Sequence, residues 1–179
     1  MHSRKSHEQK TEPSPWVTRF ANLIPNNGIV LDLACGGGRH GRLFLTRYHK
    51  VTFLDRDIAP VTDLSANVSA ELIEADLESD SGWPLVSRQF DAVIVTNYLW
   101  RPILPRIMAT VAAGGLLLYE TFALGNEAFG RPRNPDFLLK PGELLEAARG
   151  QLEVLSYEHL HLETPTPRVI QHLAARRPH

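Results

Sequence analysis

The stretch LDLACGGGRH, residues 31–40, sets three consecutive glycines behind an apolar run that carries one acidic residue, Asp32. The run IVLDLAC (29–35) follows the turn residues PNNG (25–28), and a short apolar segment bounded this way reads as a buried parallel strand. Beyond the glycines, RHGRLFLTRYH (39–49) places Leu43, Phe44 and Tyr48 on helical spacing. Gly36, Gly38 and Gly41 therefore occupy a strand-to-helix turn in the spacing G-x-G-x-x-G. Bare backbone at such a turn admits a ligand without a Cβ in the way. A tight turn that binds nothing is the plainer explanation of the same spacing.

Outward from this turn, strands and helices alternate. Ser14 and Pro15 read as the N-cap and first residue of a helix PWVTRFANLI. VTFLD (51–55), AELIEADL (70–77), FDAVIVTN (90–97) and GGLLLYETF (114–122) read as further strands. Asp57 is placed to cap the helix that holds Pro60, and Pro102 and Pro105 fit the first turn of a helix running to about residue 112. The link between the third and fourth strands, ESDSGWPLVSRQ, is too broken for a full crossover helix. NYLW (97–100) is left as a loop, and 124–140 is a long connection rich in Gly, Pro and Asn. Pro141 opens a helix that Gly150 stops. LEVLSYEHLHLE and RVIQHLAARR then form two strands whose short TPTP link favours an antiparallel hairpin. This pattern predicts an α/β, Rossmann-like three-layer sandwich with a mostly parallel sheet.

The bulk composition restricts function more than it assigns it. The chain has 179 residues, 43% hydrophobic and 22% charged, enough for one domain with a substantial core. We expect a polar, flexible tail over residues 1–13 and a single domain over 14–179. A formal net charge of -1 gives no footprint for nucleic acid or a membrane. The one cysteine, Cys35, excludes an internal disulfide and a cysteine-rich zinc site, and the eight histidines have no metal-ligand spacing, so no metal is expected. The tail lacks the apolar core of a signal peptide and no apolar run is long enough to span a bilayer, which makes the cytoplasm the expected location. A monomer or small homo-oligomer is expected.

Acidic residues at successive strand ends decide which ligand the turn suits. A dinucleotide would bring an anionic pyrophosphate towards Asp32, which would repel it. S-adenosylmethionine has no phosphate and carries a sulfonium and an ammonium, which a carboxylate complements. Local N–H groups satisfying Asp32 would be the simpler account of it. Asp55 ends the second strand, where two carboxylate oxygens can accept both ribose hydroxyls of an adenosine. Asp76 ends the third, in reach of an adenine amine. Asp55 can also be read as a turn former, and Asp76 as one surface carboxylate beside Glu71, Glu74 and Glu78.

With these residues assembled, the chain resembles class I S-adenosylmethionine-dependent methyltransferases over residues 28–175. VLDLACGGGRHG is similar to the first motif of that superfamily, VTFLD to its second, EADL to its third and FDAVIVTNYL to its fourth. Among its members the chain looks most like the small bacterial type related to tellurite-resistance methyltransferases. The resemblance implies that Asp32, Gly36 and Gly38 serve the methionine end, Asp55 the ribose, Asp76 with Leu77 the adenine, and Asn97 the methionine portion. Ala34 stands where a first glycine is common, and Arg56 where an apolar residue often covers the adenine. The implied activity is methyl transfer from S-adenosyl-L-methionine to an acceptor the resemblance does not identify; with no basic stripe to hold a polymer, a small molecule is expected. A non-catalytic S-adenosylmethionine-binding or partner-regulating module stays open as an alternative, and an NAD-dependent oxidoreductase is the reading Asp32 argues against.

On the acceptor side, Tyr98, Tyr119 and Glu120 are candidate catalytic groups, with Trp100 and His40 also near the strand ends. Packing of the loop accounts equally for Tyr98 and Trp100, and a first-turn helix position for His40. NYLW departs from the Asn/Asp-Pro-Pro-aromatic tetrad frequent in enzymes that methylate nucleic-acid bases. The segment 124–140 is the expected lid, with Phe129 and Phe137 as pocket walls. Arg131 and Arg133 suit either an anionic group or a solvated loop, and His159 and His161 a solvated strand face.

Overall fold

The computed structural model describes residues 12–179, so most of the expected tail, residues 1–11, lies outside the described residues. Seven strands form one sheet: β1 (Ile29–Leu33), β2 (Lys50–Asp55), β3 (Ala70–Glu74), β4 (Phe90–Thr96), β5 (Val111–Phe122), β6 (Glu153–Leu162) and β7 (Arg168–Arg176). Their order is β3-β2-β1-β4-β5-β7-β6. The pairings among β1 to β5 are parallel, and β7 runs antiparallel to both β5 and β6. The sequence-based fold class and the terminal hairpin are both observed.

Alternation along the strands supplies two apolar layers. One face of the sheet packs Trp16, Val17 and Phe20 of α1 (Pro15–Phe20) and Phe44 of α2 (Arg39–Leu45) against Val30, Phe53, Ile94 and Leu118. The opposite face packs Leu104, Ile107 and Met108 of α3 (Leu104–Thr110) and Leu144 and Ala148 of α4 (Glu143–Ala148) against Leu31, Leu33, Val93, Val95 and Leu117. Every one of these residues is buried. Burial of this kind contributes roughly 25 cal/mol per Å² of apolar surface and holds the strand ends in place.

The elements differ from expectation mainly at their ends. Ser14 caps α1 as expected, its hydroxyl accepting from the Trp16 N–H, but the helix gives way after Phe20 to a 3-10 turn, Ala21–Leu23. α2 stops at Leu45 rather than continuing to His49, because Tyr48 takes a left-handed φ of 64°. Asp57 does accept from the Ala59 N–H, at 2.9 Å, although the helix it opens is a 3-10 turn, Ala59–Leu64. β5 begins at Val111, earlier than the expected 114. Val111 pairs with Phe90, and the register then shifts so that Ala92 faces Leu116. Gly114, at φ 72°, lies in the bulge so formed, so the glycine pair sits inside the strand instead of starting it.

Candidate functional site

A cavity of about 390 Å³ opens where β1 to β4 end. Ala34 follows β1, Asp55 and Arg56 close β2, and Ala75, Asp76, Leu77 and Glu78 follow β3. Asn97 and Tyr98 follow β4, and Phe137 reaches in from the long connection. In an open parallel sheet this is the crevice where ligands bind, since the strand order reverses between β1 and β4. Ala34 and Asn97, which follow the two strands at that reversal, have left-handed φ values of 53° and 55°. For an L-residue this conformation costs about 1–2 kcal/mol, a strain that glycine would avoid.

The cavity's carboxylates are fixed by their own loops. Asp55 Oδ2 accepts from the Gly36 N–H at 2.8 Å, and Oδ1 from the Asp57 N–H at 3.1 Å. Asp76 Oδ1 accepts from the Glu78 N–H at 2.9 Å. An ionised carboxylate has about four acceptor positions, so each keeps capacity for a ligand hydroxyl or amine. Three carboxylates, Asp55, Asp76 and Glu78, stand against one arginine, Arg56. That excess favours a cationic ligand and opposes a pyrophosphate. The Tyr98 hydroxyl is buried without a hydrogen-bond partner, and burial with Glu78 and Asp76 nearby pushes its pKa up, which keeps it a donor. Asp55, Asp76, Arg56, Leu77, Ala34 and Asn97 are thus brought together as the sequence implied.

Asp32, Gly36 and Gly38 are not among the cavity's lining residues. Asp32 lies fully buried under the turn, and its Oδ2 accepts from the Gly41 N–H at 2.8 Å. Desolvation raises its pKa to about 7 despite that bond. A Cβ on Gly41 would meet the Phe53 ring at 2.2 Å, and one on Gly38 would meet Val61 at 2.8 Å. Those two glycines therefore serve packing of the turn onto β2. Gly36, at φ 52°, has nothing within 4 Å of its Cβ position and is the glycine that leaves space open.

The acceptor-side candidates are dispersed. Tyr98 lines the cavity, whereas Trp100 lines an adjoining groove of about 330 Å³ with Trp83, Ile103 and Arg106. Tyr119 is fully buried and donates its hydroxyl to the Tyr98 carbonyl at 2.9 Å, so it props the loop instead of facing an acceptor. Phe129 stacks with His161, ring centroids 4.7 Å apart, and does not line the cavity. Phe137, the other aromatic of the connection, does. Arg131 and Arg133 are exposed.

Glu120 belongs to a polar network that the sequence did not reveal. The Ser14 hydroxyl donates to Glu120 Oε2 at 2.5 Å, and His172 Nε2 lies 3.2 Å from the same oxygen. His172 Nδ1 contacts Glu158 Oε2 at 3.1 Å, and Trp16 stacks over the imidazole at 4.6 Å. Burial works against charge here, yet His172 and Ser14 hold the Glu120 pKa below its usual range, and the two carboxylates raise that of His172. The Ser14 N–H also donates to His40 Nε2 at 3.2 Å. Burial and Arg39 lower the His40 pKa to about 4, which leaves its ring neutral and occupied. The register explains why sequence could not show this: Glu120, His172 and Glu158 are direct cross-strand neighbours on β5, β7 and β6.

Residues 30–114 match the family described as a methyltransferase domain. No curated protein matches the chain. Among solved structures, TehB from Haemophilus influenzae superposes with a TM-score of 0.70 at 22% identity, covering 90% of this chain. This chain spans 61% of the length of that structure. The 1,6-didemethyltoxoflavin-N1-methyltransferase of Burkholderia thailandensis, with bound 1,6-didemethyltoxoflavin and S-adenosylhomocysteine, gives 0.69 at 16%, covering 92% of this chain and 77% of its own. The [4+2]-cyclase SpnF gives 0.71 at 16%, covering 90% and 79%. At these identities the likeness is one of fold. The family match covers just under half of the chain, and the superpositions agree with the Rossmann-like fold of the resemblance read from the sequence.

Proposed function

We propose that this chain transfers a methyl group from S-adenosylmethionine to a small-molecule acceptor, using the cavity at the ends of β1 to β4. The observation that carries the reading is the set of Asp55 and Asp76 at successive strand ends, fixed by backbone N–H groups yet open to the cavity. Asp55 accepts from the ribose hydroxyls, Asp76 with Leu77 holds the adenine, and Asn97, Ala34 and Gly36 border the methionine end. Asp32 and Gly38 act from beneath, by holding and packing the turn. Arg56 forms the rim.

The bound cofactor supplies a methyl group on a sulfonium, a donor already activated for in-line displacement. The protein's share is then positioning and exclusion of water. Tyr98 is the one of the three catalytic candidates that lines the cavity, and burial keeps its hydroxyl protonated. Glu120 is engaged by Ser14 and His172, and Tyr119 is buried. The chemistry is therefore positional, with Tyr98 orienting the acceptor. A net charge of -1 suits a small acceptor better than a nucleic acid.

Calorimetric titration with S-adenosylmethionine, S-adenosylhomocysteine and NAD tests the reading, followed by transfer of labelled methyl to a metabolite pool. The first two ligands are expected to bind and NAD is not. Hydrogen bonds to a charged group contribute about 1.5–3 kcal/mol each, so Asp55→Ala is expected to weaken binding at least ~10-fold. An unchanged affinity in a folded Asp55→Ala protein would remove the ribose assignment. Binding without any labelled product would favour the non-catalytic module.

A further inference from the structure

We propose that Phe137 is the cover of the bound S-adenosyl ligand and that Arg101 is the residue that positions it. The inference rests on the cofactor reading above and adds a wall to the site that none of the strand-end motifs supplies. The long connection does not behave as one lid. Its first half leans on the β6–β7 hairpin, where Asn126 is buried, donates to the Pro132 carbonyl and accepts from the Val169 N–H. Its second half brings Phe137 to the cavity.

That half is held at both ends. Asn134 caps a short 3-10 turn, Pro135–Phe137, by accepting from the Asp136 N–H. Leu138 and Leu139 behind it are fully buried, and Leu139 joins the end of the sheet by donating to the Phe122 carbonyl and accepting from the Leu124 N–H. Phe137 itself remains 40% exposed while lining the cavity beside Asp55, Asp76, Asn97 and Tyr98. An aromatic ring left half-covered over an acidic cavity gains burial only when something apolar fills the space below it.

Arg101 sets where that ring sits. One guanidinium nitrogen, Nη1, donates to the Asp136 carbonyl at 2.6 Å, and Nη2 donates to the Leu138 carbonyl at 2.8 Å. These carbonyls flank Phe137 on either side. Nε and Nη2 also meet the two Glu143 carboxylate oxygens at 2.6 and 3.0 Å, and Glu143 accepts from the Lys140 N–H at 2.7 Å. Arg101 directly follows the 97–100 loop, whose Asn97 and Tyr98 line the same cavity. A planar fork thus ties the 135–138 turn to the chain that follows the 97–100 loop, a task a lysine's single ammonium cannot reproduce.

The test titrates S-adenosylhomocysteine into four proteins by calorimetry: wild type, Phe137→Ala, Arg101→Ala and the double variant. Losing the burial of half an aromatic ring is expected to weaken binding about 10-fold in Phe137→Ala, with its melting temperature unchanged. Arg101→Ala is expected to show a similar loss. In the double variant the second substitution is expected to add nothing, because both act through one ring. Arg101→Lys is expected not to restore affinity. Separately, Phe137→Trp is expected to give a ligand-dependent emission change larger than that of wild type. Equal affinity of Phe137→Ala and wild type, or additive losses in the double variant, would overturn the proposal while leaving the cofactor reading intact. A wild type that binds no S-adenosylhomocysteine would sink the cofactor reading, and the proposal with it.

Discussion

Asp55 and Asp76 on one hand, and Asp32 and Glu120 on the other, are carboxylates near the same rim of the sheet with opposite fates. Asp55 is the last residue of β2 and Asp76 lies beyond the end of β3; both line the cavity. Asp32 precedes the last residue of β1, and Glu120 precedes the last two of β5. Both are drawn under the helices and their oxygens are taken up internally, by Gly41 in one case and by Ser14 and His172 in the other. Depth along the strand, one or two residues, separates a carboxylate that can meet a ligand from one that organises the scaffold.

The largest effect that can break this comparison belongs to Asp32. Its pKa is raised from 3.8 to about 7 by burial, so the native state holds a proton there that the unfolded chain releases. The contribution to stability is then fully present below about pH 4 and is lost as pH rises towards 7. Asp32→Asn keeps an oxygen for Gly41 and removes the titration. The variant is expected to gain up to ~4 kcal/mol relative to wild type at pH 8 and to lose the downward slope between pH 4 and 7, measured by urea unfolding across pH. Parallel pH profiles would mean that Asp32 is solvated, and the contrast with Asp55 would fail.

Glu120 is expected to show the next largest effect. Glu120→Ala removes one side of a mostly buried ion pair and leaves the Ser14 hydroxyl without its acceptor, for a loss of ~3 kcal/mol. The signs of the two shifts define a window. The Glu120 pKa is lowered from 4.5, so its contribution is present above that value and lost as pH falls through the folded pKa. The His172 pKa is raised from 6.5, so its contribution is present below that value and lost as pH rises through the folded pKa. The cost of Glu120→Ala is therefore expected to be greatest between about pH 4.5 and 6.5, with Glu158, Arg39 and Arg19 as the remaining charges around the network. A flat cost across that range would show that no charged pair forms.

The same depth argument explains what could be read from the chain without coordinates. Asp55 and Asp76 were legible as strand-end residues because turn residues and apolar runs fix position to within a residue or two, whereas Ala34, Leu77 and Asn97 came only from the family resemblance carried over position by position. The seven strands and the antiparallel ending were legible for the same reason. The Glu120–His172–Glu158 alignment was not, because it depends on cross-strand register set partly by the shift between Val154 and Ser156. The division of the 124–140 connection was equally hidden. Its anchor, Arg101, lies 35 residues from Asp136 in sequence, and no local pattern signals that contact.

That division yields the smallest expected effect and the finest test. Phe129 and Phe137 lie on one connection with nearly equal exposure, 41% and 40%. Composition and exposure give no ground for telling them apart. Their neighbours do: Phe129 rests on His161 of the edge strand β6, whereas Phe137 shares a cavity with Asp55 and Asp76. A half-exposed ring stacked on one exposed histidine contributes little, so Phe129→Ala is expected to cost under ~0.5 kcal/mol in urea unfolding. Its affinity for S-adenosylhomocysteine is expected to match wild type in the titration that separates Phe137→Ala. Comparable losses from both substitutions would mean that the connection closes as one piece, with the β6–β7 hairpin acting on the site through it.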